Sequence, residues 1–203
     1  MRVDVTTWSG AQLHADHATF AMGPYSAFDL PEPAPAALVV YARTVVHVQL
    51  TAAQREALGA LPSMIVRGLT DEDNCYILPP TQYPDGNWYM KIGGGIRAQQ
   101  ITARAELDEW FAGEGDPDLG ATLSARIQRL LPATEGSPWS TQACAITVAK
   151  SGLPTISRLS ARTALVTGGN GHAAKSGDEI GRLAAGLLLG REDWTAGYDP
   201  AAF

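Results

Sequence analysis

Apolar and polar positions alternate in two periods along this chain, and the periods change at glycine and proline. Val3–Thr7 alternates over a short stretch, and Ala18–Ala21 is a second small apolar run, so two strands are expected in the first thirty residues. Gly23-Pro24-Tyr25-Ser26 then marks a turn. The run LVVYARTVVHVQL (Leu38–Leu50) is dense in β-branched residues and predicts one or two strands. Thr51-Ala-Ala-Gln54 is a capping box, so a helix is expected from there to about Leu61, where Pro62 stops it. Ser63–Arg67, Asn74–Leu78 and Trp88–Ile92 read as strands. The last two are expected to join across Pro79-Pro80 and a turn at Pro84-Asp85-Gly86-Asn87.

Helical spacing takes over at Thr102–Phe111 and again at Leu119–Leu131, where Leu119, Leu123, Ile127, Leu130 and Leu131 share a face. Trp139–Ala149 and Pro154–Leu159 return to strand pattern. Thr163–Thr167 reads as a buried strand, Gly168–Gly171 as a glycine turn, and Ser176–Leu189 as an amphipathic helix closed by Gly190. Strands interleaved with clustered helices predict an α+β architecture, a sheet with helices on one face. The two ends look like a different, α/β-like unit, and the stiff segment Leu30-Pro-Glu-Pro-Ala-Pro35 reads as the crossover between them.

Composition narrows the function without naming it. Of 203 residues, 45% are hydrophobic and 18% charged, an ordinary globular balance. The net charge of -6 comes with no cluster of five Lys/Arg, which argues against nucleic acid as a partner. No run of 18 apolar residues predicts a membrane span, and the N-terminus lacks a secretory pattern. Cys75 and Cys144 are therefore expected to be free thiols in a cytoplasmic protein, and no metal-ligand spacing is present.

The densest chemistry lies at Gly168, Gly169, Asn170, Gly171, His172, Lys175 and Ser176. Gly169–Ala174 fits the loose dinucleotide pattern G-x-G-x-x-A between a strand and a helix. That motif also needs a returning parallel strand, which Arg191 onward does not offer, so a self-contained dinucleotide fold is not expected. What survives is local: glycines admit a ligand close to backbone, and a helix N-terminus with Lys175 beside it favours an anion or a ring that becomes anionic. The plainer alternative is a tight strand-to-helix turn with Lys175 in solvent.

These residues bring a family into view. GGNGHAAKSGDEIGRLAAGLLLG (Gly168–Gly190) resembles the C-terminal signature of the D-amino-acid oxidase and sarcosine oxidase superfamily. YPDGNWYMKIGGG (Tyr83–Gly95) resembles the long strand of its substrate domain, and CAITVAKSGLPTISRL (Cys144–Leu159) the strand pair before the signature. Leu13–Leu30, with ADHATFAMGPYSAFDL, resembles the point where the chain leaves the FAD domain. The four matches follow family order and cover nearly the whole chain.

The resemblance implies residues 1–30 and 160–203 as a partial FAD-binding domain, the C-terminal remnant of a glutathione-reductase-like α/β fold. It implies 35–158 as the substrate-binding domain. It implies FAD as cofactor and oxidation of a C–N bond: an amine gives a hydride to flavin N5, the imine is hydrolysed, and oxygen reoxidises the flavin to give hydrogen peroxide. Sarcosine, other N-methyl amino acids, D-amino acids and cyclic amines all fit as the small-molecule substrate. The strand, G-x-G-x-x-G turn and helix that hold the FAD pyrophosphate in the family have no counterpart here, so weak or absent FAD binding is expected of the chain alone. Met1 is then an internal start, a truncated product, or the start of one subunit whose partner chain supplies that site. The contrasting reading is a non-enzymatic domain that keeps the fold without FAD.

Residue by residue, Cys144 falls near a cysteine that sarcosine-oxidase-like members link to flavin, with Thr147 completing a Cys-x-x-Thr pattern; a buried strand cysteine is the alternative. The lysine that some oxidases use for oxygen falls at Gln100 here, which leaves a dehydrogenase open. Lys175 and Arg97 are the catalytic candidates, Arg97 as a carboxylate anchor or a solvated strand-end arginine. His47 is expected to be a sheet histidine. Tyr76, Tyr83, Trp88 and Tyr89 either line a pocket or pack. The tail, Trp194–Phe203, covers the site or frays.

Overall fold

The computed structural model describes residues 2–30, 37–70, 73–94, 99–191, 193 and 195–199. The chain divides into two compact units. One comprises Met1–Val40, Thr102–Arg104 and Ile146–Phe203; the other comprises Tyr41–Ile101 and Ala105–Ala145. The divisions fall inside two strands, β4 (Leu38–Leu50) and β9 (Trp139–Ala149).

The second unit is built on a mainly antiparallel sheet. Its six strands run in the order β5 (Met64–Val66), β6 (Cys75–Gln82), β7 (Trp88–Gly94), β4, β8 (Gln100–Ile101), with β9 pairing β4. The register sets Val46 opposite Ile92 and Val48 opposite Met90. Ile92 in turn faces Ile77. Paired residues share a face, so these apolar side chains make one continuous wall. Helix α3 (Pro117–Leu130) seals it with Leu119, Leu123 and Ile127, one residue per turn, and Leu58 of α1 (Ala52–Leu58) joins them. Helix α2 (Arg104–Ala112) buries Leu107. Both the capping box of α1 and the Asp116 cap of α3 form as hydrogen bonds, the Thr51 hydroxyl accepting from the Gln54 N–H at 3.2 Å.

One turn expectation is corrected. Pro79 and Pro80 do not end a strand; β6 runs through them to Gln82. The register slips between Leu78 and Thr81: Leu78 faces Lys91, yet Thr81 faces Tyr89. One extra residue is absorbed there as a bulge. Consecutive residues point to opposite edges, so one proline faces the side left free beyond the Cys75–Ile77 pairing with β5, and the other falls in the bulge, where neither has a β7 partner.

The first unit holds a two-stranded hairpin, β1 (Val3–Thr6) with β2 (Gln12–Ala15), and a three-stranded sheet ordered β10 (Thr155–Arg158), β11 (Thr163–Thr167), β3 (Ala18–Phe20). β11 pairs β3 in parallel, Leu165 opposite Phe20, and pairs β10 antiparallel. Helix α4 (Gly177–Leu188) lays Leu183 and Ala184 on Ile156, with Ile180, Leu187 and Val166 around them. Its end is a double glycine-type cap: Arg191 N–H donates to Gly186 C=O and Gly190 N–H to Leu187 C=O, with Gly190 at φ 68°. The Arg158 guanidinium also donates to the Leu187 carbonyl, placing a cation at the negative end of the helix. Among the described residues, no helix is long and apolar enough to cross a membrane.

Candidate functional site

The glycine turn sits where β11 leaves its sheet. Buried Ala164 and Leu165 fix the strand, and the chain then takes positive φ at Gly168 (68°), Asn170 (52°) and Gly171 (72°). At Gly168 two demands coincide. The backbone is left-handed, and a Cβ would stand 2.8 Å from the Cβ of Ala149. A Cβ at Gly169 would stand 2.7 Å from that of Ala173.

Asn170 is the only residue other than glycine with positive φ among the described residues, and the structure shows what holds it there. Its backbone N–H donates to the Thr147 carbonyl at 2.9 Å, and its side-chain oxygen accepts from the Ala149 N–H at 2.9 Å. Its amide also donates to the Gly168 carbonyl. Asn170 is thus a brace that ties the turn to the end of β9. Asn170→Ala is expected to lower stability by about 2 kcal/mol, from lost hydrogen bonds plus a left-handed alanine. Asn170→Gly should recover part of that, because glycine removes only the backbone penalty. Urea unfolding of the three proteins checks this; equal midpoints for Ala and Gly would mean that the conformation carries no strain.

Several groups around the turn are left unspent. Among the described residues, the N–H groups of Gly169 and Gly171 have no hydrogen-bond partner. The hydroxyls of Thr147 and Thr167, both buried, also have none. A buried orphan hydroxyl costs about 1–3 kcal/mol, so two beside one turn call for an explanation. Beyond the turn, Ala173–Lys175 form a single 3-10 turn, and α4 begins only at Gly177. The expected helix start at Ser176 is therefore its N-cap, and the Ser176 side chain makes no capping bond. His172, Lys175 and Ser176 are exposed. Asp178 and Glu179 occupy the first turn of α4, and Arg182 grips Glu179 at 2.6 and 2.7 Å, holding its carboxyl below the ordinary range.

That inventory tests the turn against a flavin. Free backbone donors, free hydroxyls and bare Cα atoms fit the carbonyl- and nitrogen-rich edge of an isoalloxazine ring, which brings acceptors and is neutral when oxidised. They suit a pyrophosphate less well, since the first turn of α4 carries the carboxylates of Asp178 and Glu179.

The remaining candidates lie elsewhere. Cys144 is on the part of β9 that belongs to the other unit. Its carbonyl accepts the indole N–H of Trp110 at 2.7 Å, and its half-buried thiol has only a 3.9 Å approach to the Ala145 carbonyl. Arg97 lies outside the described residues, as do Gly95 and Trp194. Gln100 is exposed on β8.

Sequence reasoning passed over Arg43, and treated Tyr76 as one of several aromatics. Burial pushes the Tyr76 phenol up to about 12, with charge at Cys144 and Tyr83 adding, and burial lowers Arg43 while Tyr41 and Cys144 raise it. The signal was the alternation along β4 of half-buried Tyr41, Arg43, His47 and Gln49 with buried Val40, Ala42, Val46, Val48 and Leu50.

Comparison with known proteins places this arrangement. The family model described as FAD dependent oxidoreductase (DAO) matches residues 2–187. Among solved structures, a fructosyl peptide oxidase from E. terrenum superposes with a TM-score of 0.66 at 21% identity, covering 92% of this chain and 44% of that one. A modified fructosyl peptide oxidase from Aspergillus nidulans gives 0.65 at 22%, covering 93% and 45%. The fructosyl amine:oxygen oxidoreductase Amadoriase I from Aspergillus fumigatus gives 0.59 at 14%, covering 91% and 42%. At these identities the likeness is one of fold. The chain spans less than half the length of these three structures. No curated protein matches it.

Proposed function

This chain belongs to the FAD-dependent oxidoreductase family, and from that premise we propose that it supplies the flavin-ring side and the substrate sheet of an enzyme that oxidises the C–N bond of an amine or amino acid. The observation that carries the reading is the turn after β11: two unpartnered glycine N–H groups, with two buried orphan hydroxyls on the strands that flank the turn. The similar solved structures, a fructosyl peptide oxidase and a fructosyl amine:oxygen oxidoreductase, support an amine as the class of substrate.

When bound, the flavin supplies the hydride acceptor. The protein's part is positional and electrostatic. Gly169 and Gly171 N–H groups would donate to the ring's pyrimidine edge, where negative charge develops on reduction. Their donors are fixed by the Asn170 brace, so they need no reorganisation when that charge appears. Lys175 adds a mobile positive charge nearby. The pyrophosphate of FAD has no comparable cradle in this loop, and would be held by a segment outside these residues, on a separate polypeptide or the same one. The unit with β3, β10, β11 and α4 is then part of the FAD domain, wider than the expected 160–203 because β10 pairs β11, and the other unit is the substrate domain.

Two measurements bear on this. Anaerobic addition of sarcosine, D-alanine or an N-fructosyl amino acid to the protein saturated with FAD and with its pyrophosphate-binding segment should bleach the oxidised flavin. If none of these or other amines does so, the C–N reading fails. Lys175→Met should lower the flavin midpoint potential by roughly 10–20 mV, the two-electron equivalent of an exposed charge at a helix start. A potential unchanged by the substitution would make Lys175 a plain surface residue.

A further inference from the structure

The sheet of the second unit has two unlike faces. One is the apolar wall under α3. On the other, Lys91 stands between His47 and Leu78 on its neighbouring strands, and Gln49 faces Tyr89. All five side chains are half-buried, and none of them belongs to the core.

The rings of His47, Tyr83 and Tyr89 meet edge to face, with centroids 5.1 Å apart for His47–Tyr83, 6.1 Å for His47–Tyr89 and 5.2 Å for Tyr83–Tyr89. Next to them runs an open groove of about 270 Å³ whose apolar walls are Leu78, Pro79, Tyr83, Pro84 and Tyr89, with Thr81, Gln82 and Lys91 as its polar lining. A ring triad of this kind is a rigid apolar surface, because each ring blocks the rotation of the next.

Charge decides what such a groove takes. Among the described residues, Lys91 has no carboxylate partner. The nearest acid along the hairpin, Asp85, is committed: it accepts from the Asn87 N–H at 2.9 Å, the Asn87 amide at 3.0 Å and the Tyr89 hydroxyl at 2.8 Å. Burial, then the charge of Lys91, lowers the His47 pKa and favours the neutral imidazole. The groove therefore presents one uncompensated ammonium among apolar walls, in a protein whose net charge is -6. An ammonium with no carboxylate partner in the fold, beside an apolar groove, is free to take an anionic partner from outside.

We propose that this groove is a binding site for a small carboxylate with a flat or branched apolar body, the carboxylate on Lys91 and the body against Tyr83 and Tyr89. The site stands independently of the flavin reading, since every residue in it lies within Tyr41–Ile101. A cationic ligand is disfavoured by Lys91, and a neutral one leaves the ammonium unpaired.

The test uses 3-phenylpropanoate and its uncharged counterpart, 3-phenylpropanamide, titrated into the protein while tyrosine and tryptophan fluorescence is followed. The carboxylate should bind saturably and at least about tenfold more tightly than the amide, the usual worth of one charge-assisted contact. Lys91→Met should remove that preference, and Lys91→Arg should keep it. Tyr83→Ala should weaken the acid and the amide together. The proposal is overturned if the acid does not saturate, if the amide binds as well as the acid to the wild type, or if Lys91→Met retains the preference. The wild-type comparison needs no variant, so it decides even if a substitution prevents folding.

Discussion

Gly168→Val is expected to lower the stability of the unit that contains the turn by about 3 kcal/mol or more. The estimate joins two costs at one residue. A left-handed backbone with φ of 68° is unfavourable for any L side chain and worst for a β-branched one. The first carbon of the new side chain would also stand 2.8 Å from the Cβ of Ala149, a strand position that is itself buried. Neither atom is the end of a flexible chain, so the relief must come from the backbone of β9 or of the turn. Moving either breaks the Asn170 brace. Hydrogen exchange gives the local reading: the amide protons of Ala149 and Asn170, both bonded across the brace, should lose most of their protection. If the valine variant keeps that protection, the turn is not the rigid platform that the flavin reading needs.

Leu123→Ala should cost about 3 kcal/mol, within the 2–5 kcal/mol usual for a buried leucine. Leu123 is fully buried at the centre of α3 and belongs to the cluster that holds Val46, Val48, Met90 and Ile92 on the sheet. Two packed layers face one another there, and neither can close easily over a lost isobutyl group. The helix itself is well capped by Asp116 and should persist, so the loss is one of packing. In urea titration the midpoint should fall at an unchanged slope. A cost below about 1 kcal/mol would mean that α3 does not seal this face of the sheet.

Where one periodic pattern decided an element, the sequence was easily read. β9 and β11 have the bounds that their alternation and β-branching predict, and the Thr51–Gln54 box forms as its spacing requires. The hairpin strand β2 could not be found that way, because Gln12–Ala15 are all exposed and offer no buried face to alternate. The prolines of β6 misled for a physical reason: they mark a strand end only where a ladder bond is lost, and the free side of β6 was not visible before the pairing with β5 was known.

The site divides along the same line. Gly168 and Gly171 declare themselves by residue type, since only a positive φ or a close approach asks for glycine. Asn170 was expected among the cofactor-binding residues; its side chain is spent on Gly168, two residues back, and on Ala149, fixed by a strand 21 residues earlier. The Lys91 groove depends on cross-strand register, which no local pattern supplies.

The central claim is that this chain holds the ring of the flavin and not its pyrophosphate. The most direct measurement compares riboflavin with FAD, each titrated into the purified chain by quenching of flavin fluorescence, with Gly168→Val as the control. The account predicts weak binding with nearly equal affinity for the two, since the ADP half of FAD meets no cradle in the turn, and loss of both in the valine variant. Tight FAD binding that riboflavin cannot match, surviving in Gly168→Val, would contradict it.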